Sequence, residues 1–168
     1  KNIIILGAGG AARAIAIQMA LEGAKSIIIA NRTLERGKKL AKYICSKLKA
    51  QSSKLLKAVS LNDSSLIGYF READIIINTT SVGMKNGDTP LFPYDYISDR
   101  NLVCDIVYKP IETKLLKEAS ARGARILNGL GMLVYQGSLS FKIWPGHEMP
   151  VEIVRKVLTE ELSKEKFR

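Results

Sequence analysis

The 168-residue sequence has little of what defines several classes of protein. Its two cysteines, Cys45 and Cys104, lie far apart and form no CxxC pair, which excludes a disulfide-stapled scaffold and a thiolate metal site; both are expected to be reduced thiols, and no metal is expected. The one histidine, His147, sits in the Pro145-Gly146-His147 turn and reads as a surface loop residue rather than a catalytic base. No apolar stretch approaches the roughly 18 residues of a membrane span, and no signal-peptide pattern is present, so a cytoplasmic protein without a membrane partner is expected. Repeats, low-complexity tracts and linkers are also absent. Aromatic residues make up 7% of the chain and are little interleaved with its charges, as stacking on single-stranded nucleic acid would require.

Charge of one sign dominates what is there. The formal net charge is +10, and the segment from Arg32 to Lys57 holds nine Lys or Arg against the single acid Glu35. Lys38, Lys39, Lys42 and Lys49 fall largely away from the apolar set Leu40, Ala41, Ile44 and Leu48, as on a surface helix with one buried face. That spacing favours a solvated face beside a phosphate site over a nucleic-acid interface.

The phosphate site is read from the string Gly7-Ala8-Gly9-Gly10-Ala11-Ala12, entered from Ile3-Ile4-Ile5-Leu6 and followed by Arg13 to Leu21 without a helix breaker. A strand that turns at glycines into a helix aims unpaired amide N–H groups and the positive end of the helix dipole at the turn, where a pyrophosphate can be held. Gly7 permits the turn, Gly9 allows close approach of phosphate, and Ala12 stands where a third glycine would let helix pack on strand. An NAD site usually carries an acid about twenty residues further on, for the ribose 2′-hydroxyl. Here the end of the next strand reads Asn31-Arg32-Thr33-Leu34-Glu35-Arg36. Guanidinium groups bind a 2′-phosphate through paired, charge-assisted hydrogen bonds, and NADP is therefore expected over NAD.

Strand and helix patterns alternate along the chain. Strands are expected at Asn2–Leu6, Ser26–Ala30, Lys57–Leu61, Ala73–Asn78, Leu102–Ile106 and Arg125–Leu127, the fourth and fifth being continuous β-branched runs of the kind buried on both faces of a parallel sheet. Helices are expected at Gly10–Glu22, Leu34–Lys49, Thr113–Arg122, Gly131–Phe141 and Pro150–Ser163, with Gly83 to Pro93 as the one long loop. The whole reads as one α/β domain, a Rossmann-like doubly wound parallel sheet. Val151, Val154 and Leu158 recur at helical spacing; partial burial is expected there, with an apolar strip left open that drives self-association, for instance as a homodimer.

Three further segments fall at expected strand ends, where open α/β sheets bind ligands: Asn78-Thr79-Thr80-Ser81-Val82-Gly83-Met84, Asp105-Ile106-Val107-Tyr108-Lys109-Pro110, and Gly129-Leu130-Gly131-Met132-Leu133-Val134-Tyr135-Gln136. With the glycine turn and the Asn31 to Arg36 segment, they resemble the shikimate dehydrogenases and their quinate/shikimate relatives, nearly end to end but over the C-terminal, cofactor-binding domain only. The resemblance implies that residues 1–168 form an NADP-binding domain without the family's N-terminal substrate domain, and that the substrate is shikimate or quinate. It places the diphosphate loop on Gly7, Ala8, Gly9, Gly10 and Ala11, and the 2′-phosphate site on Asn31, Arg32, Thr33 and Arg36. Thr80, Ser81, Val82 and Met84 match the loop beside the nicotinamide ribose; Ile106 and Gly129 match contacts to the nicotinamide end, and Tyr108 and Gln136 match substrate contacts. The family's lysine and aspartate that handle the hydroxyl proton lie on the other domain, so no catalytic residue is assigned here.

The residues themselves leave alternatives open. Tyr108 reads equally as a substrate contact or a buried phenol, and Asp105 as a cap or a ligand contact. Met84 and Met132 read as core or as walls of the nicotinamide pocket, while Phe141 and Trp144 read as packing residues. Two functions remain: an NADP-dependent oxidoreductase reducing 3-dehydroshikimate to shikimate, inactive as this chain alone, and a non-catalytic NADP-binding sensor module. The start at Lys1, directly on the first strand, favours the excised domain.

Overall fold

Runs of isoleucine build the centre of the molecule. The computed structural model describes residues 1–48 and 55–164. Its strands are β1 (Asn2–Leu6), β2 (Ser26–Asn31), β3 (Leu56–Ser60), β4 (Ile75–Asn78), β5 (Leu102–Asp105) and β6 (Arg125–Leu127). All neighbours pair in parallel, in the order β3-β2-β1-β4-β5-β6, the doubly wound arrangement expected. The helices are α1 (Gly10–Leu21), α2 (Leu34–Lys47), α3 (Leu66–Glu72), α4 (Lys114–Ala121), α5 (Leu130–Ile143) and α6 (Val151–Lys164), with a short 3-10 turn at Tyr94–Tyr96.

Side chains alternate across a strand, and β1 divides accordingly. Ile3 and Ile5 join Ala12 and Ala16 of α1 and Leu40 and Ile44 of α2 on one face. Ile4 and Leu6 join Phe70 of α3 and Leu115, Leu116 and Ala119 of α4 on the other. Both layers are dry, since β1 side chains from Ile3 to Leu6 are at most 2% exposed. Each such Leu or Ile contributes roughly 1.5–3 kcal/mol by leaving water.

The differences from the sequence reading are local. The third strand starts one residue early, and β5 stops at Asp105, because Ile106 begins the turn that follows. Neither α3 nor the 3-10 turn is among the expected elements. The seven residues of α3 offer only Leu66 and Phe70 as buried positions, too few for a helical period to stand out, although parallel β3 and β4 demand a crossover. Lys49, placed at the end of α2, lies outside the described residues. Along α2, Leu40 and Ile44 are buried and Lys38, Lys39 and Lys42 exposed, as the spacing implies.

At the C-terminal end the expected packing of Phe141 and Trp144 fails: Trp144 is 82% exposed and Phe141 41%. Phe141 lies in the last turn of α5 and Trp144 is its C-cap, directly before the Pro145-Gly146 turn. Val151, Val154 and Leu158 of α6 are half-buried. No helix among the described residues is long and apolar enough to cross a membrane.

Candidate functional site

Every candidate segment follows the carboxyl end of a strand, because parallel strands all end on one edge. At β1 the chain leaves through Gly7, whose φ of +109° suits glycine; a Cβ there would stand 2.7 Å from Thr79 Oγ1. The Gly7 N–H donates to the Ala30 carbonyl at 2.8 Å, tying the turn to β2. Gly9 caps α1 without any side-chain hydrogen bond, and the first turn of the helix carries no acid. Positions where Cβ atoms of Gly9 and Gly10 would sit have no atom within 4 Å. The helix start therefore faces open space, with its N–H groups available to an anion.

Beside that turn, Asn31 donates from Nδ2 to the Thr33 carbonyl at 2.8 Å, closing the loop that presents Arg32 and Arg36. Both arginines are exposed, and Glu35 is occupied by Lys38 at 2.8 Å. Among the described residues no carboxylate forms an ion pair with Arg32 or Arg36. An open helix start, unpaired guanidinium groups and a missing acid fit a phosphate-bearing dinucleotide.

The β4 and β5 ends are built differently. Asn78 and Asp105 are opposite each other in the ladder and both fully buried, as is Thr113, the N-cap of α4. Asp105 Oδ1 accepts from Asn78 Nδ2 at 2.9 Å and from the Val107 N–H at 3.0 Å, while Oδ2 accepts from Thr113 Oγ1 at 2.7 Å. Asn78 Nδ2 also donates to the Val82 carbonyl at 2.9 Å, and its Oδ1 accepts from the Thr80 N–H at 3.0 Å and Oγ1 at 2.8 Å. Burial raises the Asp105 pKa, and the hydrogen bonds from Thr113, Val107 and Asn78 work against that rise. The loop from Thr80 to Val82 and the turn at Ile106-Val107 are thus hung on one buried network. From sequence Asn78 reads only as the start of a strand-end segment and Thr113 only as the start of a helix; the polar ends of two apolar strands, Asn78 and Asp105, were the available signal for the network.

Gly129 meets this turn from the other side. An ideal Cβ on it would lie 2.1 Å from the Ile106 carbonyl oxygen, and its N–H donates to the Val107 carbonyl at 3.3 Å. Glycine is demanded there by backbone contact. Ile106, Val107 and Gly129 are therefore brought together.

Met84 is 56% exposed and Met132 40%, which excludes the core reading for both. Tyr108 is 39% exposed and makes no buried phenol, and Gln136 lies exposed on α5. Among the described residues no hydrogen bond joins Tyr108 to Gln136; both are exposed. Among the described residues no cluster of potential ligands could hold a metal ion.

A family model described as shikimate / quinate 5-dehydrogenase matches residues 1–86, and one described as shikimate 5′-dehydrogenase C-terminal domain matches residues 129–159. The chain belongs to the shikimate/quinate dehydrogenase family. The NADP(+) shikimate dehydrogenase of Methanopyrus kandleri is 42% identical over 161 residues, covering 95% of this chain and 54% of the relative. That of Methanocaldococcus jannaschii is 44% identical, over 98% of this chain and 56% of its own length. Among solved structures, a shikimate dehydrogenase in complex with NADP+ superposes with a TM-score of 0.83 at 41% identity, over 96% of this chain and 55% of that one. A quinate dehydrogenase from Corynebacterium glutamicum in complex with NAD also gives 0.83, at 27% identity over 94% of this chain and 54% of that one. The chain thus spans about half the length of the family members it matches.

Proposed function

We propose that residues 1–168 are the NADP-holding domain of a shikimate dehydrogenase, and that the reversible reduction of 3-dehydroshikimate to shikimate requires a second, substrate-binding domain. The observation that carries the cofactor assignment is the end of β2, where unpaired Arg32 and Arg36 replace an acid beside the open start of α1. A bound nicotinamide dinucleotide would supply the hydride acceptor or donor. The amides from Gly7 to Ala11 hold the diphosphate, and Asn31, Arg32, Thr33 and Arg36 hold the 2′-phosphate.

Thr80, Ser81, Val82 and Met84 flank the nicotinamide ribose, in a loop that the Asn78 and Asp105 network keeps in place. Ile106, Gly129 and Met132 lie at the nicotinamide end, and Tyr108 and Gln136 contact the substrate, shikimate or quinate. Reduction of a ketone also needs a group that delivers a proton to the oxygen. None is assigned in this chain, so the chain alone binds NADP and is inactive. The exposure of Tyr108 and Gln136 supports this two-domain reading over a stand-alone sensor, in which they would be covered.

Calorimetry on the 168-residue chain tests the proposal. NADP is expected to bind more tightly than NAD, and Arg32→Ala to remove most of a difference on the order of 1.5–3 kcal/mol. Equal affinity for the two dinucleotides would sink the cofactor assignment. Shikimate-dependent NADP reduction by the pure chain would sink the claim that a second domain is needed.

A further inference from the structure

We propose that Arg13, presented from α1 and held by Tyr43 of α2, is a third cationic contact for the 2′-phosphate that distinguishes NADP from NAD. The inference rests on the dinucleotide reading above and adds a specificity determinant outside the Asn31 to Arg36 segment.

An open groove of about 430 Å³ runs between α1 and α2, starting at the glycine turn. Gly9 and Gly10 form its upper end, Arg13 lies on the α1 wall, and Arg36, Lys39 and Tyr43 lie on the α2 wall. Arg36 belongs both to this groove and to the segment that replaces the NAD-type acid. The groove therefore continues the 2′-phosphate site across to α1 and is not separate from it.

Three cations share this concavity, and no Asp or Glu lines it. Among the described residues none of the three forms an ion pair. Like charges gathered on facing helices repel each other, and an anion between them removes that repulsion. NAD brings only the diphosphate, which the N–H groups at the start of α1 already suit. The additional monoester phosphate of NADP is the charge that this groove still lacks.

Tyr43 gives the arrangement its geometry. The Arg13 guanidinium carbon lies 5.5 Å from the Tyr43 ring centre, within the range of a cation–π contact, and Lys47 Nζ lies 5.8 Å from the same ring. A long exposed arginine normally samples many rotamers, and holding it before the ligand arrives lowers the ordering cost on binding. Lys39, one helical turn after Arg36, adds charge without a planar fork and is expected to matter less.

The test is calorimetry at fixed salt with four probes: NADP, NAD, adenosine 2′,5′-bisphosphate and 5′-AMP. For Arg13→Met, which keeps an unbranched stem, NADP and the bisphosphate are expected to bind about tenfold more weakly while NAD and AMP change less than about twofold. Tyr43→Leu is expected to weaken NADP in the same selective way, by about threefold, through loss of positioning alone. Thermal unfolding of each variant shows that the fold is intact. An equal loss for NADP and NAD would assign Arg13 to the diphosphate and overturn the proposal, as would no loss for either. If the unaltered chain itself fails to prefer NADP, the cofactor reading fails and Arg13 falls with it; if the preference is undiminished in Arg13→Met, only Arg13 falls.

Discussion

The two halves of the sheet's carboxyl-end edge handle polar groups in opposite ways. At the β1 and β2 ends, Arg13, Arg32, Arg36 and Lys39 are exposed, and no carboxylate pairs with them among the described residues. At the β4 and β5 ends, Asn78, Asp105 and Thr113 are buried and bonded to one another and to the backbone. Exposed charge costs little to leave unpaired, because water solvates it until a ligand comes. A buried polar group must be satisfied within the protein, so it locks the loops it touches. The first half is accordingly suited to binding charge and the second to holding shape. Substitutions in the first should change affinity and leave stability alone, whereas substitutions in the second should change stability first.

The largest expected effect is at Gly129. Gly129→Ala puts a methyl group against the Ile106 carbonyl, where an ideal Cβ stands at 2.1 Å, and only backbone movement can relieve it. A loss of about 3 kcal/mol or more, roughly 10 °C in Tm, is expected from overpacking against main chain. A Tm within a degree or so of the parent, by calorimetry, would show that the β5 turn is soft and would break the contrast.

Asp105 is next. Asp105→Ala leaves Asn78 Nδ2, the Val107 N–H and Thr113 Oγ1 without this acceptor, and a loss of about 2–3 kcal/mol is expected in denaturant unfolding. Asp105 also sharpens the comparison through pH. Its folded pKa is raised by burial, so the folded state holds the proton more tightly than the unfolded state, whose ordinary value is 3.8. Its stabilising contribution is fully present below that value and is lost as pH rises through the raised folded pKa. Asp74 has the opposite sign. Hydrogen bonds from the Asn2 N–H and Lys1 lower its pKa, so its contribution is present above 3.8 and is lost as pH falls through the lowered value. Asp105→Asn should therefore remove a component of stability that grows on acidification, and Asp74→Asn one that shrinks. Identical pH profiles for parent and Asp105→Asn would refute the buried-carboxylate account.

The smallest effect concerns Cys104. Burial, with the neighbouring Asp105 carboxylate, pushes its thiol up to about 11. In a Cys45→Ser background, the remaining thiol should react with a thiol reagent far more slowly than a free thiol at neutral pH, and speed up only when the chain unfolds. Rapid labelling in the folded state would mean that the β5 end opens readily.

Much of the fold is legible in the sequence because its signals are local. Ile3 to Leu6, the glycines after them and the helical run from Arg13 lie within one supersecondary unit, and the absence of an acid at Asn31 to Arg36 is read directly from the chain. The glycine turn and the arginines after β2, on which the cofactor proposal rests, are read from the chain for the same reason. The positions around β4 and β5 were less so. Gly129 resembles a family ligand contact in sequence, yet it is required by a carbonyl 23 positions earlier. Asp105 could be read as a cap or as a ligand contact, and only its pairing with Asn78, 27 residues away, settles that it is part of a buried network. Phe141 and Trp144 were misread because an aromatic pattern says nothing about whether a second layer arrives to cover it.

The sequence by itself determined the alternating architecture, the glycine turn and the cationic end of β2, since strand and helix periodicity and turn chemistry act between near neighbours. The tertiary structure decided which polar groups are buried together, where backbone approaches backbone, and that Arg13 faces Arg36 across one groove. Those relations join residues brought together only when separate strands line up in register, and local pattern carries no information about that register.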